Sequence, residues 1–160
     1  MPHVPAARPL RRRARGFTLI ELLAVLGILA ILVVMSFPLA ELSARREQER
    51  DLKQGLWEIR DAIDAYKRMA DAGLIAGAPR SGYPPDLRTL VDGVDVTGGT
   101  HVYLLRRLPR DPFAAPDANG GWGLRSYASP GDNPQPGDDV FDVYSTSTSV
   151  GLNGVPLRQW

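Results

Sequence analysis

The stretch RGFTLIELLAVLGILAILVVMSFPLA, Arg15–Ala40, decides the fold. Basic residues end just before Gly16, an apolar run begins at Phe17, and one charged residue, Glu21, lies inside that run. From Leu22 to Ala40 there are 19 residues without a charged side chain. About 20 apolar residues in an α-helix span the hydrocarbon core of a bilayer. The stretch therefore predicts a membrane-embedded helix.

The charge distribution predicts the orientation of that helix. Residues 1–16 hold 5 of the 19 basic residues and no acid, so residues 17–160 hold the other 14 with all 18 acids, a net charge of −4. The basic leader should stay in the cytoplasm and the rest should cross the membrane. A mildly acidic body argues against nucleic acid as the main partner.

The small residue of this leader is in the wrong place for an ordinary secretory signal. Such a signal has a shorter apolar region, followed by a small-residue cleavage site. Here Gly16 comes before the apolar run. The run by itself also fits a plain signal anchor that is never cleaved.

Glu21 is the residue that a plain anchor does not explain. A carboxylate within the apolar layer costs on the order of 3 kcal/mol and is by default functional. Cleavage after Gly16 would create an α-amine on Phe17, four residues before Glu21. That ammonium could neutralise the carboxylate in the same chain or in a neighbouring one. The alternative is a carboxylate at the helix end that reaches out to water.

The leader ending in Gly16, then Phe17, Glu21 and a long apolar helix resembles the start of the type IV pilins and type II secretion pseudopilins. The resemblance implies that a prepilin peptidase cleaves between Gly16 and Phe17 and methylates the new Phe17 amine. It also implies that Glu21 binds the N-terminus of an adjacent subunit during assembly. Pro38 falls where pilins commonly carry a proline, and its missing N–H should loosen the helix there.

The polar sequence after Pro38 continues the helical pattern. Apolar side chains recur at spacings of three and four residues, at Leu52, Leu56, Ile59, Ile63, Tyr66 and Ala70. This stripe predicts one helix over residues 17–72, amphipathic in its second half and stopped by Gly73. We expect the stripe to pack against the C-terminal part of the chain, although its spacing also fits a short coiled coil.

The C-terminal part of the sequence predicts a short helix and several short strands. Asp86 is placed to cap a short helix, DLRTLV, and residues 122–129 and 140–147 alternate as strands do. A third strand is expected near residues 101–105 or 155–158. The segment Leu108–Pro112, LPRDP, resembles a pseudopilin element that ordinary adhesive pilins usually lack. Its prolines should fix an extended backbone that lies against the long helix.

These elements predict an α+β, type IV pilin-like fold in which a long N-terminal helix packs on a small antiparallel sheet. The domains expected are a prepilin leader over residues 1–16, a transmembrane and assembly segment over 17–40, and a periplasmic globular domain over 41–160.

The tail resembles that of the major pseudopilin, whose last loop binds calcium through aspartates and carbonyl oxygens. This chain departs from that pattern, because Ser147, Thr148, Ser149 and Asn153 stand where acids are expected. Calcium prefers six to eight oxygens with carboxylates among them, so such a site would be weak. The preceding loop offers a second acidic cluster, Asp132, Asp138, Asp139 and Asp142. Without a metal, Leu157 and Trp160 should hold the tail by packing on the sheet.

The residues argue against an enzyme. The chain has no cysteine and two histidines, of which His3 leaves with the leader and His101 has no visible catalytic partner. Nucleophile-elbow, zinc-protease and phosphate-loop motifs are absent from the sequence.

The resemblance instead implies a structural subunit of the periplasmic pseudopilus of a type II secretion system. Its implied partners are copies of itself in a helical filament, other pseudopilins, the peptidase and methyltransferase, and an inner-membrane platform with its ATPase. The implied location is the inner membrane, with the C-terminal domain in the periplasm. A type IV pilin for motility, adhesion or DNA uptake is an alternative, which the lack of a disulfide and the Leu108–Pro112 segment disfavour. A signal-anchored periplasmic binding protein or enzyme is another.

Overall fold

The computed structural model describes residues 16–160, apart from the side chains of residues 35–40. The arginine-rich part of the leader and the side chain of Pro38 therefore lie outside the described residues. The chain divides into two compact units, one ending at Leu42 and the other running over Ser43–Trp160.

The first helix, α1, runs over Leu19–Asp71, which is 53 residues, and confirms the helix predicted for residues 17–72. Its C-terminus is closed by Gly73, whose φ of 69° is a left-handed conformation. The Gly73 N–H donates to the Ala70 carbonyl at 2.9 Å, and the Leu74 N–H donates to the Met69 carbonyl at 3.0 Å. This pair of bonds is the Schellman arrangement, so Gly73 ends the helix as predicted.

The apolar stripe of α1 forms one side of the core of the second unit. Its members from Leu52 to Tyr66 are buried, and Ala70 is partly buried against them. The facing side chains come from the C-terminal part of the chain: Leu87, Leu90, Val94, Trp122, Val140, Val143 and Leu157. Burying apolar surface this way is the main stabilising term of such a domain. The stripe thus packs within its own chain, as predicted.

The described residues contain two antiparallel hairpins. In the first, β1 (Val94–Val96) pairs with β2 (Thr100–Val102), and in the second, β3 (Trp122–Arg125) pairs with β4 (Asp142–Ser145). The two strands predicted in residues 122–129 and 140–147 are confirmed, although each is shorter than expected. β2 confirms the third strand at 101–105.

The other position considered for a third strand, residues 155–158, holds no strand. There the chain makes only a single bridge between Val150 and Pro156 and then turns into a 3₁₀ helix, Leu157–Gln159. Pro156 has no N–H to give to a ladder, which is why pairing stops at it.

The predicted short helix is α2, Arg88–Asp92. Asp86 lies just before it, and its Oδ1 accepts the Thr89 N–H at 2.7 Å and the Thr89 hydroxyl at 2.9 Å. Leu87 takes the N-cap position itself, so Asp86 bonds to the first turn from one residue further out than predicted.

The Leu108–Pro112 segment lies against α1, as its prolines predicted. The Trp122 indole N–H donates to the Pro109 carbonyl at 2.9 Å, and a Cβ built on Gly55 would come 3.0 Å from Cζ2 of Trp122. Asp111 is only 1% exposed, and its Oδ2 accepts the Ser145 hydroxyl at 2.6 Å. Its Oδ1 accepts the Phe113 N–H at 2.8 Å. Asp111 therefore ties this segment to β4.

With α1 packed on small antiparallel sheets, the chain has the α+β, pilin-like fold expected from its sequence.

Candidate processing and assembly site

Gly16, Phe17 and Thr18 precede the first turn of α1 and have no regular secondary structure. Phe17 is 78% exposed, and a Cβ built on Gly16 would meet no atom within 4 Å. The bond between Gly16 and Phe17 therefore lies on accessible, non-helical backbone. A peptidase needs such backbone in order to bind a chain across its active site.

Glu21 and Thr18 bond to each other at the start of α1. The Glu21 N–H donates to Thr18 Oγ1 at 3.3 Å, and the Thr18 N–H donates to Glu21 Oε2 at 3.5 Å. Such reciprocal bonding is a capping box, which satisfies two backbone donors that the first helical turn would otherwise leave unpaired. A carboxylate in the first turn also interacts favourably with the positive end of the helix dipole.

This capping role is one that the sequence interpretation missed. The signal was present, because Thr18-Leu19-Ile20-Glu21 has the spacing of a capping box before an apolar run. Capping explains how the helix begins beside the cleavage bond. It occupies Oε2 of Glu21 and leaves the charge of the carboxylate in place, so it does not replace the predicted assembly role.

The unit that ends at Leu42 exposes a long apolar surface. All its large apolar side chains from Phe17 to Val34 are exposed in the single chain, on every side of the helix. Within the described residues, no helix reaches the combination of length and apolarity needed to cross a membrane.

The second unit has open grooves beside α1 that are lined by charged and amide side chains. One of them, of about 490 Å³, lies between Asp51, Gln54 and Glu58 on one side and the segment 107–110 on the other. Covalent catalysis needs a nucleophile that is activated by a neighbouring base. The side chains that line this groove do not form such a pair.

His101 is part of the first hairpin and lies outside these grooves. Its Nδ1 is 2.7 Å from Asp95 Oδ1, and its Nε2 is 2.9 Å from the Asp92 carbonyl oxygen. The Asp95 carboxylate, followed by the Asp92 carbonyl, raises the pKa of His101 above its ordinary value. Both ring nitrogens are thus engaged in joining the end of α2 to β1 and β2.

The aspartates considered for a metal site are not brought together as metal ligands. Asp139 is buried, and its Oδ1 accepts the Ser126 hydroxyl at 2.8 Å and the Tyr127 N–H at 2.9 Å. Burial alone would raise the pKa of Asp139, but hydrogen bonds from Ser81, Tyr127 and Ser126 lower it below its ordinary value. Asp132 and Asp138 are exposed. Among the described residues, no group of three acidic or histidine side chains is placed to hold a metal ion.

The two polar candidates in the last loop cap local turns. Ser147 Oγ accepts the Ser149 N–H at 3.2 Å, and Asn153 Oδ1 accepts the Val155 N–H at 3.0 Å. The tail beyond them is held as the sequence predicted in the absence of a metal. Leu157 is fully buried in the core, and Trp160 packs against its edge.

Comparison with known proteins gives two matches. Residues 11–37 match the family described as the prokaryotic N-terminal methylation motif. Type II secretion system core protein G of Dickeya chrysanthemi is 27% identical over 160 residues, a match that covers 91% of this chain and 97% of that protein. The first segment of this chain is thus similar to the methylation motif, and nearly its whole length is similar to a type II secretion core protein. No solved structure is significantly similar to this chain.

The matched motif coincides with the site described above. It contains Gly16, Phe17 and Glu21, so the accessible bond and the capped carboxylate lie inside the segment that the methylation family shares. The nearly full-length match also includes the Leu108–Pro112 segment that distinguished pseudopilins from adhesive pilins in the sequence.

Proposed function

We propose that this chain is a pseudopilin, a structural subunit of the periplasmic pseudopilus, which polymerises to drive export of folded proteins through a type II secretion system. The observation that carries the proposal is the methylation motif on an all-round apolar helix that bears one capped carboxylate. Such a helix is suited to leaving lipid for contacts with copies of itself, because its apolar surface stays out of water in both settings.

Processing begins at the accessible backbone before α1. A prepilin peptidase cleaves between Gly16 and Phe17, and the same enzyme methylates the amine of Phe17. The new N-terminus lies one helical turn from Glu21. Cleavage also removes the arginine-rich leader, which is the part that holds the N-terminus in the cytoplasm.

Glu21 then acts in docking. Oε2 accepts the Thr18 N–H, while the carboxylate as a whole keeps its negative charge and a second oxygen. An ammonium group from an adjacent subunit, at Phe17, can bind that oxygen in an apolar setting where a charged hydrogen bond is strong. Pairing also removes the cost of an isolated carboxylate among apolar helices.

The proposed partners follow from this assembly route. They are further copies of the chain in a helical filament, other pseudopilins, the prepilin peptidase, and an inner-membrane platform with its ATPase. Before assembly the chain lies in the inner membrane with residues 41–160 in the periplasm. Residues 22–40 are the proposed membrane span, with Pro38 as a site of local loosening.

The test is a clean deletion of the gene in its own host, complemented with the wild-type gene. We expect exoproteins to disappear from the medium while surface pili and twitching motility remain, and complementation to restore secretion. Lost pili with normal exoproteins would contradict the secretion role and assign the chain to a type IV pilus. If both phenotypes stay normal and the leader stays uncleaved, the chain is a signal-anchored periplasmic protein instead.

A further inference from the structure

We propose that Arg45 and Glu49 of α1 hold the C-terminal loop, residues 147–156, in the place of a metal ion, so that this loop orders without a divalent cation. This inference goes beyond the proposed function and does not depend on which filament the subunit enters. All the residues involved belong to the second unit, Ser43–Trp160.

Two contacts join the helix to the loop across more than 100 residues of sequence. Arg45 Nη2 donates to the Val150 carbonyl at 2.7 Å, and Glu49 Oε1 accepts the Leu152 N–H at 2.7 Å. The two side chains also form an ion pair, with Arg45 Nε 4.0 Å from Glu49 Oε1. The Glu49 side chain is only 12% exposed, so its bond to Leu152 is shielded from water.

These contacts reproduce the chemistry of a bound cation. A calcium ion orders a loop by drawing carboxylate and carbonyl oxygens to one positive charge. Here the Arg45 guanidinium is that positive charge, since it bonds to the Val150 carbonyl and pairs with the Glu49 carboxylate. A second cation at the same oxygens would be repelled by the guanidinium.

The remaining donors of the loop do not fit a calcium ion. The sequence from Val143 to Trp160 contains no acidic residue, so the charge that calcium requires is missing from the loop itself. Two of its backbone oxygens already accept backbone N–H groups. The Val155 carbonyl accepts the Gly151 N–H at 2.9 Å, and the Ser149 carbonyl accepts the Leu157 N–H at 3.0 Å.

The tail is fixed over this loop by two further cations on α1. Lys53 Nζ lies 4.5 Å from the ring centre of Trp160, and Arg60 Nη2 donates to the Trp160 carbonyl at 2.9 Å. The ring of Trp160 lies so close to Gly151 that a Cβ there would come 2.4 Å from Cζ2. Three cations of α1, Arg45, Lys53 and Arg60, therefore contact the last loop and the tail.

The experiment is amide hydrogen exchange of residues 147–156 in the full-length protein in detergent, with excess EDTA or excess calcium chloride. For the wild type we expect the same exchange rates and the same unfolding midpoint in both conditions. Glu49→Ala should exchange about tenfold faster or more across the loop in both conditions, the order expected for losing a charge-assisted hydrogen bond. If Glu49→Ala does not fold, Arg45→Met provides the same test, because Arg45 is more exposed than Glu49 and its replacement disturbs the core less.

Glu47→Gln is the matched control, because Glu47 is an exposed carboxylate on the same helix. It should leave loop exchange at the wild-type rate. Two results would overturn the proposal: faster loop exchange of the wild type in EDTA that calcium reverses, or wild-type exchange rates in both Glu49→Ala and Arg45→Met.

Discussion

Glu21 caps α1, and the docking role proposed for it uses a different property of the same side chain. Capping of α1 needs only an acceptor atom near the Thr18 N–H, which Oε2 provides. Docking of a neighbouring subunit needs the negative charge as well, because its partner is an ammonium group. The two roles can therefore be separated by substitution.

Thr18→Val and Glu21→Gln form the separating pair. Thr18→Val removes the hydroxyl that accepts the Glu21 N–H, which should cost about 1 kcal/mol at the helix start while leaving the charge intact. We expect near-normal filament incorporation for Thr18→Val. Glu21→Gln keeps an acceptor oxygen but loses the charge, so it should insert into the membrane and yet fail to enter filaments.

The measurement is the fraction of processed subunit that is recovered in sheared filaments. Equal losses for both variants would show that the cap, and not the charge, is what assembly requires.

His101 makes the first hairpin sensitive to pH. Its two ring nitrogens face the Asp95 carboxylate and the Asp92 carbonyl, and only the protonated ring can donate to both. Because the pKa of His101 is raised from 6.5 in the folded chain, its stabilisation is complete below pH 6.5 and is lost as pH rises through the folded value.

The check is the unfolding midpoint of the full-length protein against pH, from below 6.5 upward, for wild type and His101→Gln. We expect the wild-type midpoint to fall over that range and the variant to show a flatter profile. Identical profiles would contradict a role for the imidazolium. The group is exposed, so the effect should be small and should weaken with salt.

At the scale of secondary-structure elements, the sequence predicts those helices and helix ends that depend on a local residue pattern. The α1 stripe from Leu52 to Tyr66 has an unbroken helical period, and Gly73 and Asp86 have local chemistry that favours a helix stop and a cap. Each of these was therefore predictable before any tertiary contact was known.

Two short elements show where local pattern is too weak. β1 has only three residues, and its pairing with β2 was missed although Thr97-Gly98-Gly99 between them is a turn signal. Residues 155–158 were considered for a strand, but Pro156 stops the pairing after one bridge. In strands this short, tertiary packing decides the outcome.

The Leu108–Pro112 element depends on Asp111. Asp111→Asn keeps the shape of the side chain but turns one acceptor atom into a donor. The new amide nitrogen cannot accept the Ser145 hydroxyl hydrogen, and both bonds lose the charge that strengthens them in a buried site. We expect a loss of about 1.5–3 kcal/mol in the free energy of unfolding.

Denaturant unfolding of the full-length protein in detergent measures this loss, and the exposed Asp132→Asn is its control. A change below about 0.5 kcal/mol, as at an ordinary surface site, would contradict the structural role given to Asp111.

Across the whole molecule, the contacts that join distant segments were beyond prediction. Arg60 bonds to Asp142 at 2.8 Å and to the Trp160 carbonyl at 2.9 Å, and these partners are 82 and 100 positions away in the sequence. Arg45 and Glu49 reach the last loop in the same way. In the sequence all three are ordinary charges on the polar faces of a helix, and only the packed fold gives them partners.

The residues of the candidate site also differ in how well the sequence predicted them. Gly16, Phe17 and Glu21 were identified from local spacing, and the matched methylation motif contains all three. The metal candidates came from a family resemblance and from a local cluster of acids, and the described acidic side chains do not form a metal-binding group.

The most direct test of a polymerising, processed subunit is the intact mass of the chain recovered from filaments made in its own host. The predicted mass is that of residues 17–160 with one added methyl group, and tandem mass spectrometry should place the methyl on the amine of Phe17. A chain that stays in the membrane fraction with its leader attached, and is absent from filaments, would contradict both the processing at Gly16 and the role as a filament subunit.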